Sequence, residues 1–237
     1  MMALQLEDVH RVGIVDDVKA DAEALGRLFE DFDMQALIMP RPRPRATAEE
    51  YLSTLPPLDV LVCDHQLRSS WTVAFTGAEL AARANSRPHK LPAIVMSSHV
   101  GTREASSIHR WRADIPAVVP KQADDEEVLG AVRYALEEAA GKWSRERSRF
   151  RTPIEVLAVH PAGEAPYAEV LVSGWSLTQV AQLPLLRFEE DTGIPPDALL
   201  PGTWLRAEVN CYAPRAEDLC FAHISLAPQL SEDVRAL

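Results

Sequence analysis

The chain has 237 residues, 47% of them apolar and 25% charged, which is enough for one large domain or two ordinary ones with real cores. Its formal charge of −11 excludes a general affinity for nucleic acid, whose phosphates require a basic surface. No apolar run approaches the roughly 18 residues that span a bilayer, and Met1–His10 lacks a basic flank ahead of an apolar stretch, so neither a membrane span nor a signal peptide is expected.

Up to about residue 150, strand-like and helix-like segments alternate. Val9–Val15 reads as a strand and Lys19–Phe32 as a helix, with Ala24, Leu25, Leu28 and Phe29 on one face. Gln35–Met39 is a short strand, cut off by the Arg-Pro repeat Arg41–Arg45. Thr47–Leu55 suits a helix, and Pro56-Pro57 stops it before the strand Asp59–Cys63. Gly77–Ala84 is helical, Ala93–Met96 a strand, Thr102–Arg112 a helix and Ala117–Val119 a strand. A long helix starts near Asp124, with Val128, Val132 and Leu136 on its inner face. Five strands alternating with five helices imply right-handed crossovers and a doubly wound parallel sheet.

The last helix is expected to run on through Gly141–Arg151. There Lys142, Arg145, Arg147, Arg149 and Arg151 interleave with Trp143 and Phe150. These cations suit either a solvated helix end, favoured by the helix dipole, or an interdomain strut or dimer helix. From Pro153 the character changes. Ile154–His160, Ala168–Trp175, Leu183–Phe188, Thr203–Asn210 and Leu219–Leu226 read as strands separated by Pro, Gly and acidic turns. They predict a small all-β barrel or sandwich, with the α/β domain over 1–141, a helical linker over 142–152 and the β-rich domain over 153–237. This second half is the acidic one: from Arg151 onward five basic residues stand against twelve acidic ones.

Four of the apolar runs end in residues suited to phosphoryl chemistry. Val12–Val15 runs into Asp16-Asp17, Leu58–Cys63 into Asp64, Ala93–Met96 into Ser97-Ser98, and Ala117–Pro120 into Lys121. In an open parallel sheet these carboxyl ends share one edge, where ligands bind. Each piece alone is unspecific, because apolar runs ending in Asp are common. The four in order are specific.

Over about residues 9–140 the chain resembles a response-regulator receiver domain, which accepts phosphate from a sensor histidine kinase. The resemblance rests on Val15-Asp16-Asp17, Asp64 followed by His65-Gln66-Leu67, Pro92–Ser97, Lys121, and Gly77 before Ala78-Glu79-Leu80. It implies a flavodoxin-like five-stranded parallel sheet and a phosphoacceptor at Asp64. It also implies Mg2+ held by Asp16, Asp17, Asp64 and the Gln66 backbone carbonyl. Lys121 would neutralise one phosphoryl oxygen, and Ser97 would hydrogen-bond another after transfer. The chemistry agrees: a carboxylate can attack an activated phosphorus, and a hard divalent cation offsets the negative charge of the transition state. Contacts made only in the phosphorylated state would then shift a loop equilibrium.

The chain departs from that family in three places. Gln122, not Pro, follows the lysine. Val118 stands where an aromatic often swings inward on activation. The stretch Arg68–Phe75 is a few residues longer than usual, and its Trp71 suits either a lid or partner anchor or a small satellite core. Ser98 adds only a hydroxyl and leaves access open.

Other candidates carry less. The three cysteines, Cys63, Cys211 and Cys220, form no disulfide framework and fit a reducing cytoplasm. Cys211, Cys220, His223 and His160 lack the pairing of a zinc site. Trp175, Trp204 and Phe188 suit a groove or, more commonly, a core. No phosphate loop surrounds Gly163 or Gly174, and no hydrolase elbow is present.

The expected protein is therefore a cytoplasmic response regulator, with no enzymatic activity beyond the receiver's own phosphoryl chemistry. Its partners would be a sensor histidine kinase or phosphotransfer protein and a protein effector, with neither nucleic acid nor membrane; a homodimer stays open. Two alternatives stay open: a pseudo-receiver scaffold that is never phosphorylated, and a receiver-gated ligand-binding or catalytic β domain.

Overall fold

A computed structural model describes residues 6–67, 71–98, 106–163 and 166–228, and the chain divides into two compact units, residues 1–144 and 145–237. The first unit holds β1 (Arg11–Val15), β2 (Gln35–Ile38), β3 (Val60–Asp64), β4 (Ala93–Ser97) and β5 (Val118–Pro120), all parallel, in the order β2-β1-β3-β4-β5. That is the flavodoxin-like doubly wound order, with its switch point between β1 and β3. Every residue of β3 and β4 is buried, as continuous apolar runs in a two-sided parallel sheet require. Asp59 fixes how β1 and β3 start, since its carboxylate accepts hydrogen bonds from the backbone N–H groups of His10 and Arg11.

Five helices cover the two faces: α1 (Lys19–Glu30), α2 (Ala48–Thr54), α3 (Gly77–Ser86), α4 (Ser106–His109) and α5 (Asp125–Ala139). Capping side chains set three of their starts. Thr47 makes a reciprocal capping box with Glu50, Thr76 caps α3, and Asp124 caps α5. On one face, Phe29 of α1 and Val132 of α5 pack with Ile14, Val62 and Ile94. On the other, Tyr51 of α2 and Leu80 of α3 pack with Leu61, Phe75 and Ile115. Trp71 belongs to this second core at 8% exposure, so it packs inward and is not a lid, while residues 68–70 of the same stretch lie outside the described residues. The helix expected over Thr102–Arg112 is present as α4 and a 3-10 turn at Arg112–Asp114, while residues 102–105 lie outside the described residues.

The helical linker expected over 142–152 is reduced to a 3-10 turn at Arg145–Arg147, and a strand already begins at Phe150. Helix α5 ends at Ala139 and Gly141 takes φ +82°. The Lys142 N–H donates to the Glu137 carbonyl and the Gly141 N–H to that of Glu138, the paired bonds of a Schellman stop. The arginines that follow serve the second unit. Arg147 is buried with Nη1 3.8 Å from Cys220 Sγ, Arg145 lies 4.3 Å over the Tyr212 ring, and Arg151 donates to Ser225 Oγ.

The second unit is a five-stranded antiparallel sheet: β6 (Phe150–His160), β7 (Tyr167–Val172), β8 (Ser176–Pro184), β9 (Trp204–Val209) and β10 (Phe221–Leu226), in the order β10-β9-β6-β7-β8. Its inner face carries Ile154, Val156, Val170, Leu183, Leu205 and Val209. One expected strand is wrong. Leu183–Phe188 divides between the end of β8 and helix α6 (Leu185–Thr192), which packs against β7, β8 and β10. The helix wins because Leu185 and Phe188, three apart, bury together, Arg187 pairs with Asp191 one turn on, and Gly193 at φ +70° ends it.

Candidate functional site

Asp16 directly follows β1, and Asp17 comes next. Asp64 ends β3, Ser97 ends β4, and Lys121 directly follows β5. Parallel register delivers all of them to the same sheet edge. Val15 pairs with Cys63, Asp64 with Met96, and Ser97 with Pro120.

One carboxylate oxygen from each of Asp16, Asp17 and Asp64 lies within 4.8 Å of the others. Among the described residues this is the one group of three or more acidic, His or Cys side chains close enough to share an ion. All its donors are hard oxygens, the set that suits Mg2+ over softer metals. The cysteine and histidine residues of the second unit form no such group among the described residues.

Lys121 holds this cluster together. Its Nζ lies 2.9 Å from Asp64 Oδ1, 3.1 Å from Asp16 Oδ2 and 2.9 Å from Asp21 Oδ2. Burial works to lower the ammonium's pKa, but the hydrogen bonds to Asp21, Asp64 and Asp16 outweigh it and raise it, so Lys121 is a fixed cation. The Asp16 carboxyl is pushed above its ordinary value by burial and by Asp64, against its bonds to the Val18 N–H and Lys121. Burial also raises Asp64, with Asp17 adding to it and Lys121 opposing it.

Backbone groups position the carboxylates. The Gln66 N–H donates to Asp64 Oδ2 at 3.0 Å, and the Val18 N–H to Asp16 Oδ1 at 2.7 Å. Gln66 is exposed beside Asp64. Ser97 is buried, and its carbonyl accepts from the Lys121 N–H. Gly77 packs its backbone on the end of β3, donating its N–H to the His65 carbonyl.

The sequence argument missed Asp21 altogether, and it named His65 only within the motif after Asp64, with no contact assigned. Asp21, in the first turn of α1, has no motif to mark it, because acids there are ordinary dipole partners. His65 is buried, with Nε2 2.7 Å from Ser107 Oγ of α4, a contact across 42 residues that no spacing reveals. A cavity of about 450 Å3 adjoins the cluster, walled by Leu25 and Leu28 of α1, Val62, Met96, and Val128 of α5.

The aromatics of the second unit do not share one role. Phe188 is core, Trp175 donates its indole N–H to the Ala213 carbonyl, and Trp204 is exposed. His223 is exposed, 3.9 Å from Glu208.

No family model and no curated protein matches the chain. Solved structures do. The first unit is similar to receiver domains. One is the N-terminal domain of a response regulator/sensory box/GGDEF protein from Carboxydothermus hydrogenoformans, at 19% identity and TM-score 0.43, covering 55% of this chain and 97% of that one. A CheY-like receiver domain protein from Methanospirillum hungatei matches at 22% identity and TM-score 0.42, covering 56% and 98%. A signal receiver domain of a histidine kinase from Syntrophus aciditrophicus matches at 16% identity and TM-score 0.43, covering 54% and 91%. The strand order of the first unit establishes its fold independently of these likenesses.

Proposed function

We propose that the protein is a response regulator that accepts a phosphoryl group on Asp64. The observation that carries this reading is the cluster itself: three carboxylates within reach of one ion at the switch-point edge, with the Lys121 ammonium bound to Asp64. Asp16, Asp17, Asp64 and the Gln66 carbonyl would hold Mg2+, which supplies charge neutralisation for the phosphoryl oxygens when bound.

An Asp64 oxygen attacks the donor phosphorus, forming a P–O bond. The donor's P–N or P–O bond breaks, and the leaving group departs with that electron pair. Lys121 offsets charge on a phosphoryl oxygen, and Ser97 offers its hydroxyl to another. The donor would be a histidine kinase or phosphotransfer protein in the cytoplasm. The second unit would pass the signal to a protein partner, with no enzymatic activity of its own.

Incubation of the full chain with acetyl phosphate and Mg2+ tests this. The expected result is a mass gain of one phosphoryl group that Asp64→Ala abolishes. No gain, or an equal gain in the variant, would overturn it.

A second reading is a scaffold that is never phosphorylated. What favours it is the cage around Lys121, whose three N–H donors are already matched by three carboxylates. Val118 and Gln122 fit it too. Failure to bind Mg2+ in calorimetry would support this reading over the first.

A further inference from the structure

We propose that Asp21 positions Lys121 for the phosphoryl group, and that this contact makes the first turn of α1 responsive to the state of Asp64. The proposal rests on the phosphoacceptor reading above.

An ammonium has three N–H donors, and Lys121 spends them on Asp16, Asp64 and Asp21. Two of those partners change when the site is used. Asp16 becomes committed to the cation, and Asp64 exchanges a carboxylate charge for a phosphoryl group carrying about two negative charges farther from β3. Asp21 is the partner that neither event consumes. It becomes the remaining protein anchor for the lysine, and it feels any displacement of Nζ.

Asp21 is suited to transmit that displacement. Its own N–H is held by the Val18 carbonyl, and the Val18 N–H is held by Asp16 Oδ1, so the start of α1 connects to the cluster at two points. The same cleft that holds Asp16, Asp21, Asp64 and Lys121 runs on between Leu25 and Leu28 of α1 and Val128 of α5, so this face of α1 lines the site. Asp21 is half exposed, so its ion pair with Lys121 adds little to global stability and a variant there keeps the fold. Such a route also needs no inward-swinging aromatic, which the chain lacks at Val118.

The test uses the full chain and reads two quantities in the same samples: mass gain with acetyl phosphate and Mg2+, and amide hydrogen exchange over residues 19–25. In the native protein, phosphorylation is expected to change that exchange. Asp21→Asn is expected to be phosphorylated about tenfold more slowly, as loss of positioning predicts, and to lose the exchange difference. Asp21→Glu, which keeps the charge, should recover both. The proposal alone is overturned if the native protein is phosphorylated with no change over 19–25, or if Asp21→Asn keeps the native rate or the native difference. Absence of any mass gain in the native protein would overturn the phosphoacceptor reading itself, and this proposal with it.

Discussion

Gly77 lies so close to the end of β3 that a Cβ on it would overlap the carbonyl oxygen of Asp64. The α3 N-terminus therefore seats directly on the backbone of the proposed phosphoacceptor. Gly77→Ala must push one of these segments away, and because the clash is with backbone no rotamer relieves it. We expect a loss of about 3 kcal/mol or more, measured by urea denaturation, and weaker Mg2+ binding in the folded fraction.

Burial raises the Asp16 and Asp64 carboxyls above their ordinary value, so near those raised values the folded protein holds protons that the unfolded chain has released. Their contribution to stability therefore grows as pH falls through the folded values, and is complete below the ordinary 3.8. At pH 7 without metal, Asp64→Asn should be more stable than the native protein, because the buried carboxylate charge is removed. That advantage should shrink as pH falls through the raised value. Paired urea titrations across the acidic range would show it.

Lys121→Met removes the cation from among three carboxylates. Mg2+ affinity should be kept or increased, because the pocket becomes more negative, while phosphorylation by acetyl phosphate falls about 100-fold for want of charge stabilisation. Calorimetry and mass spectrometry on one preparation separate the two effects.

Trp71 is buried among apolar side chains, so Trp71→Ala should cost roughly 3–5 kcal/mol. The folded fraction should be phosphorylated at the native rate. A changed rate with unchanged stability would restore the lid.

In the second unit Asn210 is buried. Its amide donates to the Glu146 and Asp218 carbonyls, and its oxygen accepts from the Cys220 N–H. Asn210→Ala strands three backbone groups and should cost on the order of 3 kcal/mol in thermal or urea unfolding.

The first unit was legible because its central strands β1, β3 and β4 are buried on both faces, so apolar runs and their terminal Asp and Ser mark the sheet edge directly, and the short run of β5 adds Lys121. The second was less so. Residues 177–180 of β8 are all exposed, so no alternation announces the strand. Helix α6 is too short for its period to outweigh an apolar run, although Gly193 marks its end. Gly141 was likewise a stop signal, outweighed in the sequence reading by the charged stretch beyond it. Asp21 was invisible for a different reason. Its partner lies 100 residues away, and only folding brings them together.

The capture of Glu146 by Asn210, and of Arg147 beside Cys220, bears on how this chain can be divided and inherited. A boundary at Pro153, where the composition changes, would cut β6 after its third residue and discard a buried guanidinium. The compact second unit starts at Arg145. In any shuffled or engineered descendant, the arginines that resemble a linker must travel with the sheet.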